Sequence, residues 1–205
     1  MTASQAAPAA GATLSAFPEV TVPAGTAMYR SHSTSRGAWY FDNGFEGRFN
    51  LHGARGTCCT ASSVDTAVRE KVRGRASRTG VVSRDLADSF VVSIVTAPTE
   101  HRCAAVSHVD AAKHGIVREL TTMADYSVPQ AWAKAFEDAG FDGVFYASAF
   151  TTGEPAAYAL FGDAGVPDPS AGHTAAHYMS GEEACKDLGW TVADRPVRGN
   201  MTVIG

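Results

Sequence analysis

The chain has 205 residues, a formal net charge of −4 at pH 7, 45% hydrophobic residues and 19% charged residues. This length and composition predict a globular domain with a core of its own rather than a disordered chain. The acidic balance argues against a general nucleic-acid binder, which needs a basic surface. No apolar run approaches the length of a membrane span and no secretory signal is evident, so we expect a cytoplasmic protein without nucleic-acid or membrane partners.

The spacing of cysteines and histidines predicts no metal site. Four cysteines occur without a C-x-x-C pair: Cys58, Cys59, Cys103 and Cys185. Such spacing favours reduced thiols over a disulfide framework or a zinc site. His173 and His177 have the i,i+4 spacing that binds a metal on a helix, but the segment around them is rich in Gly, Pro and Ser. We therefore expect two surface histidines there.

The first part of the chain predicts a tail, two strands and a helix. Residues 1–20 are dominated by Ala, Ser, Thr, Gly and Pro, which predicts a disordered tail. Residues 27–30 and 56–61 have the composition of short strands. Ser62 predicts the N-cap of a helix whose apolar stripe leaves Glu70 on another face, among small residues. A carboxylate flanked by small side chains leaves room for a ligand.

The second part of the chain predicts more strands and one long helix. Three strands are predicted, at residues 90–95, 144–148 and 156–161. Pro129 and the apolar residues at helical spacing after it predict a helix that ends at Gly140. The residues after Gly162 show no clear pattern. Because strands and helices do not alternate regularly, we predict a single mixed α+β domain rather than a doubly wound sheet.

Four polar residues form the candidate site: Arg30 at a strand end, Arg48 in a glycine-rich turn, Glu70 on the helix and Ser148 at the end of a strand. Two arginines bind phosphates bidentately. One carboxylate stabilises an oxocarbenium-like sugar cation when a C–N glycosidic bond breaks. By residue type alone, the favoured interpretation is the simpler one, in which both arginines form surface ion pairs and Glu70 pairs with Arg73.

Five segments in order resemble the RES domain family: Tyr29-Arg30, GRFN at 47–50, GTCCTASSVDTAVRE at 56–70, PQAWAKAFEDAGFDGVFYAS at 129–148 and YALFG at 158–162. The resemblance implies a fold similar to that of ADP-ribosyltransferase toxins, over a catalytic domain at residues 21–163 with a C-terminal extension at 164–205. It implies consumption of NAD+ as substrate, by hydrolysis to nicotinamide and ADP-ribose or with phosphate as acceptor. Family members include toxins of toxin–antitoxin pairs, so an antitoxin protein is a candidate partner.

The resemblance also assigns roles, and none of them requires a metal. The family's essential Glu corresponds to Glu70, which would stabilise the sugar cation. Its early Arg and its glycine-flanked Arg correspond to Arg30 and Arg48, which would hold the pyrophosphate or a ribose. Its late Ser corresponds to Ser148, which would orient the nicotinamide. Arg30, Glu70 and Ser148 are therefore the expected catalytic residues, and both arginines and Ser148 also count among the expected NAD+-binding residues.

The chain departs from the family in two places. Cys59 stands where the family usually has a Tyr that shapes the nicotinamide end, and three aromatic residues are candidate substitutes: Tyr40, Phe41 and Phe49. The family often continues after its late Ser with Arg and Asp, where this chain has Ala149 and Thr151. These departures favour one alternative, a weakened domain that only binds a nucleotide or a partner. A second alternative is an ADP-ribosyltransferase acting on a protein or small-molecule acceptor.

Overall fold

The structure, a computed structural model, describes residues 5–73, 78–154 and 156–195. Its strands, in chain order, are β1 (Glu19–Val22), β2 (Ala27–Ser33), β3 (Arg55–Ala61), β4 (Val81–Ser83), β5 (Phe90–Thr96), β6 (His101–Ala105), β7 (Gly143–Tyr146), β8 (Ala157–Asp163), β9 (Thr174–Ser180) and β10 (Thr191–Ala193). The α-helices within the described ranges are α1 (Val64–Val72), α2 (Arg84–Asp88), α3 (Ser127–Asp138) and α4 (Gly181–Asp187). Short 3-10 helices lie at Val109–His114, Arg118–Thr121 and Pro169–Ala171.

Eight strands form one sheet in the order β1-β6-β7-β8-β3-β2-β5-β9. Neighbouring strands are antiparallel except β6 and β7, which run parallel. The small strands β4 and β10 pair separately in parallel. Only β6, α3 and β7 form a βαβ unit within this sheet, and its other neighbouring strands are antiparallel, which confirms the prediction of a single mixed α+β domain rather than a doubly wound sheet.

Two helices cover the sheet and bury most of the core. On α3, Trp132 and Phe136 are 3% and 0% exposed and pack against residues of β7 and β8. The backbone of Gly140 has φ +82°, a conformation that glycine adopts without strain, and this ends the helix as predicted. On α1, Val68 and Val72 pack with residues of β5 and α4. Burying these stripes fixes α1 against β2 and β3, which positions the opposite side of the helix.

The N-cap of α1 is Ser63, one residue later than predicted. Its hydroxyl accepts a hydrogen bond from the backbone N–H of Thr66 at 3.2 Å. Ser62 instead continues the chain from β3, and its backbone N–H donates to the carbonyl of Ala156. Both serines suit an N-cap by composition, and the strand pairing decides between them.

The N-terminal segment lies against the domain from residue 5 onward, where the composition predicted a disordered tail. Leu14 and Phe17 are buried, and the ring of Phe17 lies 4.8 Å from that of Phe136. The backbone N–H of Gln5 donates to Glu119 at 2.6 Å. The segment thus buries a few apolar side chains in the core that α3 helps to form, although Ala and Gly dominate its composition.

The C-terminal residues continue the domain. Strand β9 pairs with β5, α4 packs on α1, and β10 pairs with β4. His173 follows a 3-10 helix and His177 lies in β9, so the helical i,i+4 geometry considered for a metal is wrong. Within the described ranges, no group of three or more His, Cys, Asp or Glu side chains could hold a metal ion. The ends of the predicted tail and extension, 1–4 and 196–205, lie outside the described residues.

Candidate active site

A pocket of about 170 Å³ lies between α1, strands β2 and β3, and the glycine-rich loop before β3. Its charged wall consists of Arg48, Glu70, Lys71 and Arg73. Its aromatic wall consists of Phe49, Tyr126, Tyr146 and Phe150. Small side chains complete the lining, among them Ser31, Cys59 and Ala67. The pocket therefore combines one carboxylate, three cations and several rings.

Glu70 projects into this pocket because the apolar stripe of α1 faces the other way. Burial raises the pKa of its carboxyl above the ordinary value of 4.5. A hydrogen bond from the side chain of Ser148 opposes that rise, and so do the charges of Arg48 and Arg73. Ser148 itself is only 4% exposed. A half-buried carboxylate with these neighbours stabilises positive charge that develops close to it.

Arg48 reaches the pocket from the glycine-rich loop. Its guanidinium donates a 2.6 Å hydrogen bond to the carbonyl of Met123 and lies 4.8 Å from the centre of the Tyr126 ring. No carboxylate of the described residues forms an ion pair with it. The surface ion pair considered from residue type is therefore wrong for Arg48. Its remaining donors are available to an anion in the pocket.

Buried Asn50 holds the loop that carries Arg48. Its amide donates to Asp42 at 2.7 Å and to the carbonyl of Gly44 at 2.9 Å. From α3, Gln130 donates to the carbonyl of Gly47 at 2.9 Å. These bonds replace regular secondary structure in this part of the loop and fix the position from which Arg48 extends.

Cys59 lies on the pocket floor, exposed to the pocket but surrounded by protein. This surrounding raises the pKa of its thiol to about 12, so the thiol is protonated at neutral pH. Among the candidate substitutes for the family's Tyr, Phe49 lines the pocket and its ring lies 5.0 Å from that of Tyr146. Tyr40 lies instead under the guanidinium of Arg36, at 4.5 Å, outside the pocket lining.

Arg30 is buried behind the pocket floor. It is 9% exposed, and its guanidinium donates to the thiol of Cys58. Neighbouring strand residues face opposite sides of a sheet, so Cys58 and Arg30 lie on the face opposite Cys59. The positive charge of Arg30 nevertheless acts to lower the pKa of the Cys59 thiol and of the Lys71 ammonium group. The surface ion pair considered for Arg30 is wrong, since the side chain is buried.

The structure thus gathers most of the expected site residues. Arg48, Phe49, Cys59 and Glu70 line one pocket and Ser148 contacts Glu70, whereas Arg30 and Tyr40 lie outside the lining. Sequence reasoning missed Lys71, Arg73, Tyr126, Tyr146 and Phe150 as pocket residues. Arg73 carried one usable signal, because it follows Glu70 by three residues and so lies on the same side of the helix end.

Comparison with known proteins identifies the family of the chain. The sequence model of the RES domain family matches residues 23–179, which runs from before β2 to β9. The fold is similar to a chain of the crystal structure of the M. tuberculosis MbcT–MbcA toxin–antitoxin complex. The TM-score is 0.61 and the identity 15%, over 81% of this chain and 90% of that one. No curated protein sequence matches the chain. Since the family model covers most of its length, the chain belongs to the RES domain family.

Proposed function

We propose that this protein is an NAD+-degrading enzyme that cleaves the bond between nicotinamide and ribose, and that it is the toxin of a toxin–antitoxin pair. The observation that carries the proposal is the carboxylate of Glu70 in a pocket with Arg48 and several aromatic rings. Membership of the RES domain family and the fold shared with a toxin–antitoxin complex support it. An antitoxin is accordingly the expected protein partner.

The pocket residues suit the steps of this reaction. When the C–N bond breaks, its electron pair passes to the nicotinamide nitrogen, which loses its positive charge, and the ribose becomes a cation. Glu70 stabilises that cation electrostatically. Tyr126 and Phe150, the partly exposed rings of the lining, offer surfaces beside which nicotinamide stacks, and the hydroxyl of Ser148 orients the groups around Glu70. An oxygen of phosphate, or of water that releases a proton to solvent, then forms a bond to the ribose carbon and completes the reaction.

The size of the pocket suits only part of the NAD+ molecule. Its volume of about 170 Å³ is below the roughly 300–1,000 Å³ of typical ligand pockets. We infer that it encloses only the nicotinamide and its ribose. The pyrophosphate would then lie at the pocket opening, within reach of Arg48. Arg30 would act on the bound substrate through its charge from behind the floor.

Mass spectrometry of NAD+ incubated with the protein tests the proposal. We expect nicotinamide in every reaction, with ADP-ribose as co-product in phosphate-free buffer if water is the acceptor. A phosphorylated ADP-ribose that appears only with phosphate would identify phosphate as the acceptor. ADP-ribose attached to protein would indicate a transferase instead. Intact NAD+ under all conditions would contradict the proposal and favour a domain that only binds.

Removal of the Arg48 guanidinium is expected to weaken binding of the dinucleotide. A charge-assisted hydrogen bond contributes about 1.5–3 kcal/mol, so Arg48→Ala should raise the dissociation constant for ADP-ribose roughly 10- to 150-fold in a calorimetric titration. ADP-ribose keeps the pyrophosphate and is not itself cleaved. Arg118→Ala, which removes an exposed arginine outside the pocket lining, is the matched control. Equal affinities in the two variants would exclude the pyrophosphate role.

The pH dependence of turnover should report the ionisation of Glu70. The pKa of this carboxyl is raised above 4.5, and only the ionised form stabilises a cation. Turnover should therefore fall on acidification at a pH above 4.5, as the carboxyl takes up its proton. The folded state also prefers the protonated form, so this group stabilises the fold at low pH and loses that effect as pH rises through its raised pKa. A rate profile that is flat down to pH 4.5 would contradict the role.

A further inference from the structure

Three polar groups in the same pocket as Glu70 have no carboxylate partner among the described residues and no role in the reaction as described so far. They are the hydroxyl of Ser31 and the cationic groups of Lys71 and Arg73, and all three residues line the pocket. The Ser31 hydroxyl oxygen is buried and makes no hydrogen bond. A buried polar atom without a partner costs free energy, and in a pocket a ligand restores the missing bond.

Lys71 is a half-buried cation in positive surroundings. Burial lowers the pKa of its ammonium group, and the charges of Arg30, Arg73 and Arg36 lower it further. No acidic side chain among the described residues forms an ion pair with Lys71. The protein as a whole is acidic, with a net charge of −4. Three cations and one carboxylate, Glu70, line the pocket, so an excess of positive charge remains that favours an anion from solution.

Arg73 adds a strained backbone to this cluster. Its φ of 61° and ψ of −169° lie in a region that is essentially restricted to glycine. The guanidinium donates to the carbonyl of Glu46 at 3.3 Å, which ties the end of α1 to the glycine-rich loop. No carboxylate in the described parts of the chain forms an ion pair with it. Arg73 thus lines the pocket from the end of α1 with most of its guanidinium donors available.

We propose that Ser31, Lys71 and Arg73 form a binding subsite for a phosphate group, beside Glu70 and separate from the contact that Arg48 makes. The inference rests on the proposed function and deepens it. The phosphate group comes either from inorganic phosphate, the acceptor, or from the pyrophosphate of the substrate. Both sources present the same tetrahedral oxyanion to the hydroxyl, ammonium and guanidinium donors.

For inorganic phosphate the subsite supplies the attacking atom directly. A phosphate oxygen forms a C–O bond to the ribose cation after the C–N bond has broken and its electron pair has left with nicotinamide. No oxidant, reductant or further co-reactant is needed. The cations offset the repulsion between the phosphate and the carboxylate of Glu70, which otherwise excludes an anion from this end of the pocket.

The test measures binding, without turnover, of two probes: inorganic phosphate and ADP-ribose. The variants are Lys71→Gln and Ser31→Ala in the full chain. Lys134→Gln is the matched control, because it removes the same charge from an exposed position on α3. In Lys71→Gln we expect the dissociation constant for at least one probe to rise about tenfold or more. Ser31→Ala should raise the same constant by a smaller factor, and the control should leave both unchanged.

The two probes separate the two sources. If the variant binds inorganic phosphate more weakly but ADP-ribose normally, the subsite holds the acceptor phosphate. If it binds ADP-ribose more weakly but inorganic phosphate normally, the subsite holds the pyrophosphate of the substrate. Unchanged constants for both probes in Lys71→Gln overturn the subsite, as does a wild-type protein that binds neither probe. Because these titrations do not depend on NAD+ cleavage, an inactive protein with a Lys71-dependent phosphate site would overturn the proposed function alone.

Discussion

Replacing Glu70 by Gln is expected to lower NAD+ turnover by about 10² or more, roughly 2.7 kcal/mol of transition-state stabilisation, while the fold remains intact. The amide keeps the shape of the side chain and removes its charge. Burial already disfavours the ionised carboxyl, so the substitution should leave the melting temperature at neutral pH unchanged or slightly higher. Steady-state kinetics and a thermal melt of the same preparation measure both effects.

Glu100→Gln provides the control for this substitution, since Glu100 is an exposed residue of the turn between β5 and β6. It should retain wild-type turnover. Near-wild-type turnover in Glu70→Gln would remove the central residue from the proposed mechanism. A large fall in melting temperature would instead show that the carboxylate is structural.

Replacing Gly47 by Ala is expected to reduce both stability and activity. A Cβ at this position overlaps the side-chain amide of Asn50, which is 2% exposed and held by Asp42 and Gly44. The amide has nowhere to move without breaking those bonds. Overpacking of this kind costs about 1–3 kcal/mol, or roughly 2–12 °C in melting temperature for a chain of this size. Turnover should fall too, because the loop carries Arg48.

The matched control is Gly37→Ala, at a glycine outside the pocket lining where a Cβ meets only one atom, the carbonyl oxygen of Trp39, at 3.5 Å. That distance is an ordinary contact, so the melting temperature should stay within about 1–2 °C of the wild type. If Gly47→Ala has the melting temperature and NAD+ turnover of this control, the hydrogen bonds of Asn50 do not set the position of Arg48.

The sequence predicted the strands and helices that have a strong local pattern. The run at 90–95 and the segments at 27–30 and 56–61 all lie in strands, because β-branched and apolar residues dominate them or alternate there. Strand β9 and its neighbour α4 were missed. All seven residues of β9 are at least partly exposed, so it lacks the alternation that marks a half-buried strand. Only pairing with β5 makes it a strand.

The residues expected from type and family pattern that do share one pocket are Glu70, Arg48 and Phe49, and their functional roles stay predictions. Tyr146 was missed because it ends an apolar run, in which a ring is normally assigned to the core. It is buried as expected, at 4% exposure, yet it also lines the pocket. The position of Arg30 behind the pocket floor depends on which face of β2 carries the side chain. That in turn depends on pairing with β3 and β5, which local sequence does not encode.

Because β3 pairs with β8, the pocket is completed late in the synthesis of the chain. Cys59 on the pocket floor lies opposite Ala159, so the strand beside the floor is synthesised about a hundred residues later. Phe150, another pocket residue, likewise emerges late from the ribosome. A nascent chain that has already exposed Glu70 therefore still lacks part of the pocket until most of its translation is complete. Under the proposed function, NAD+ cleavage would therefore begin only when nearly the whole chain has been made.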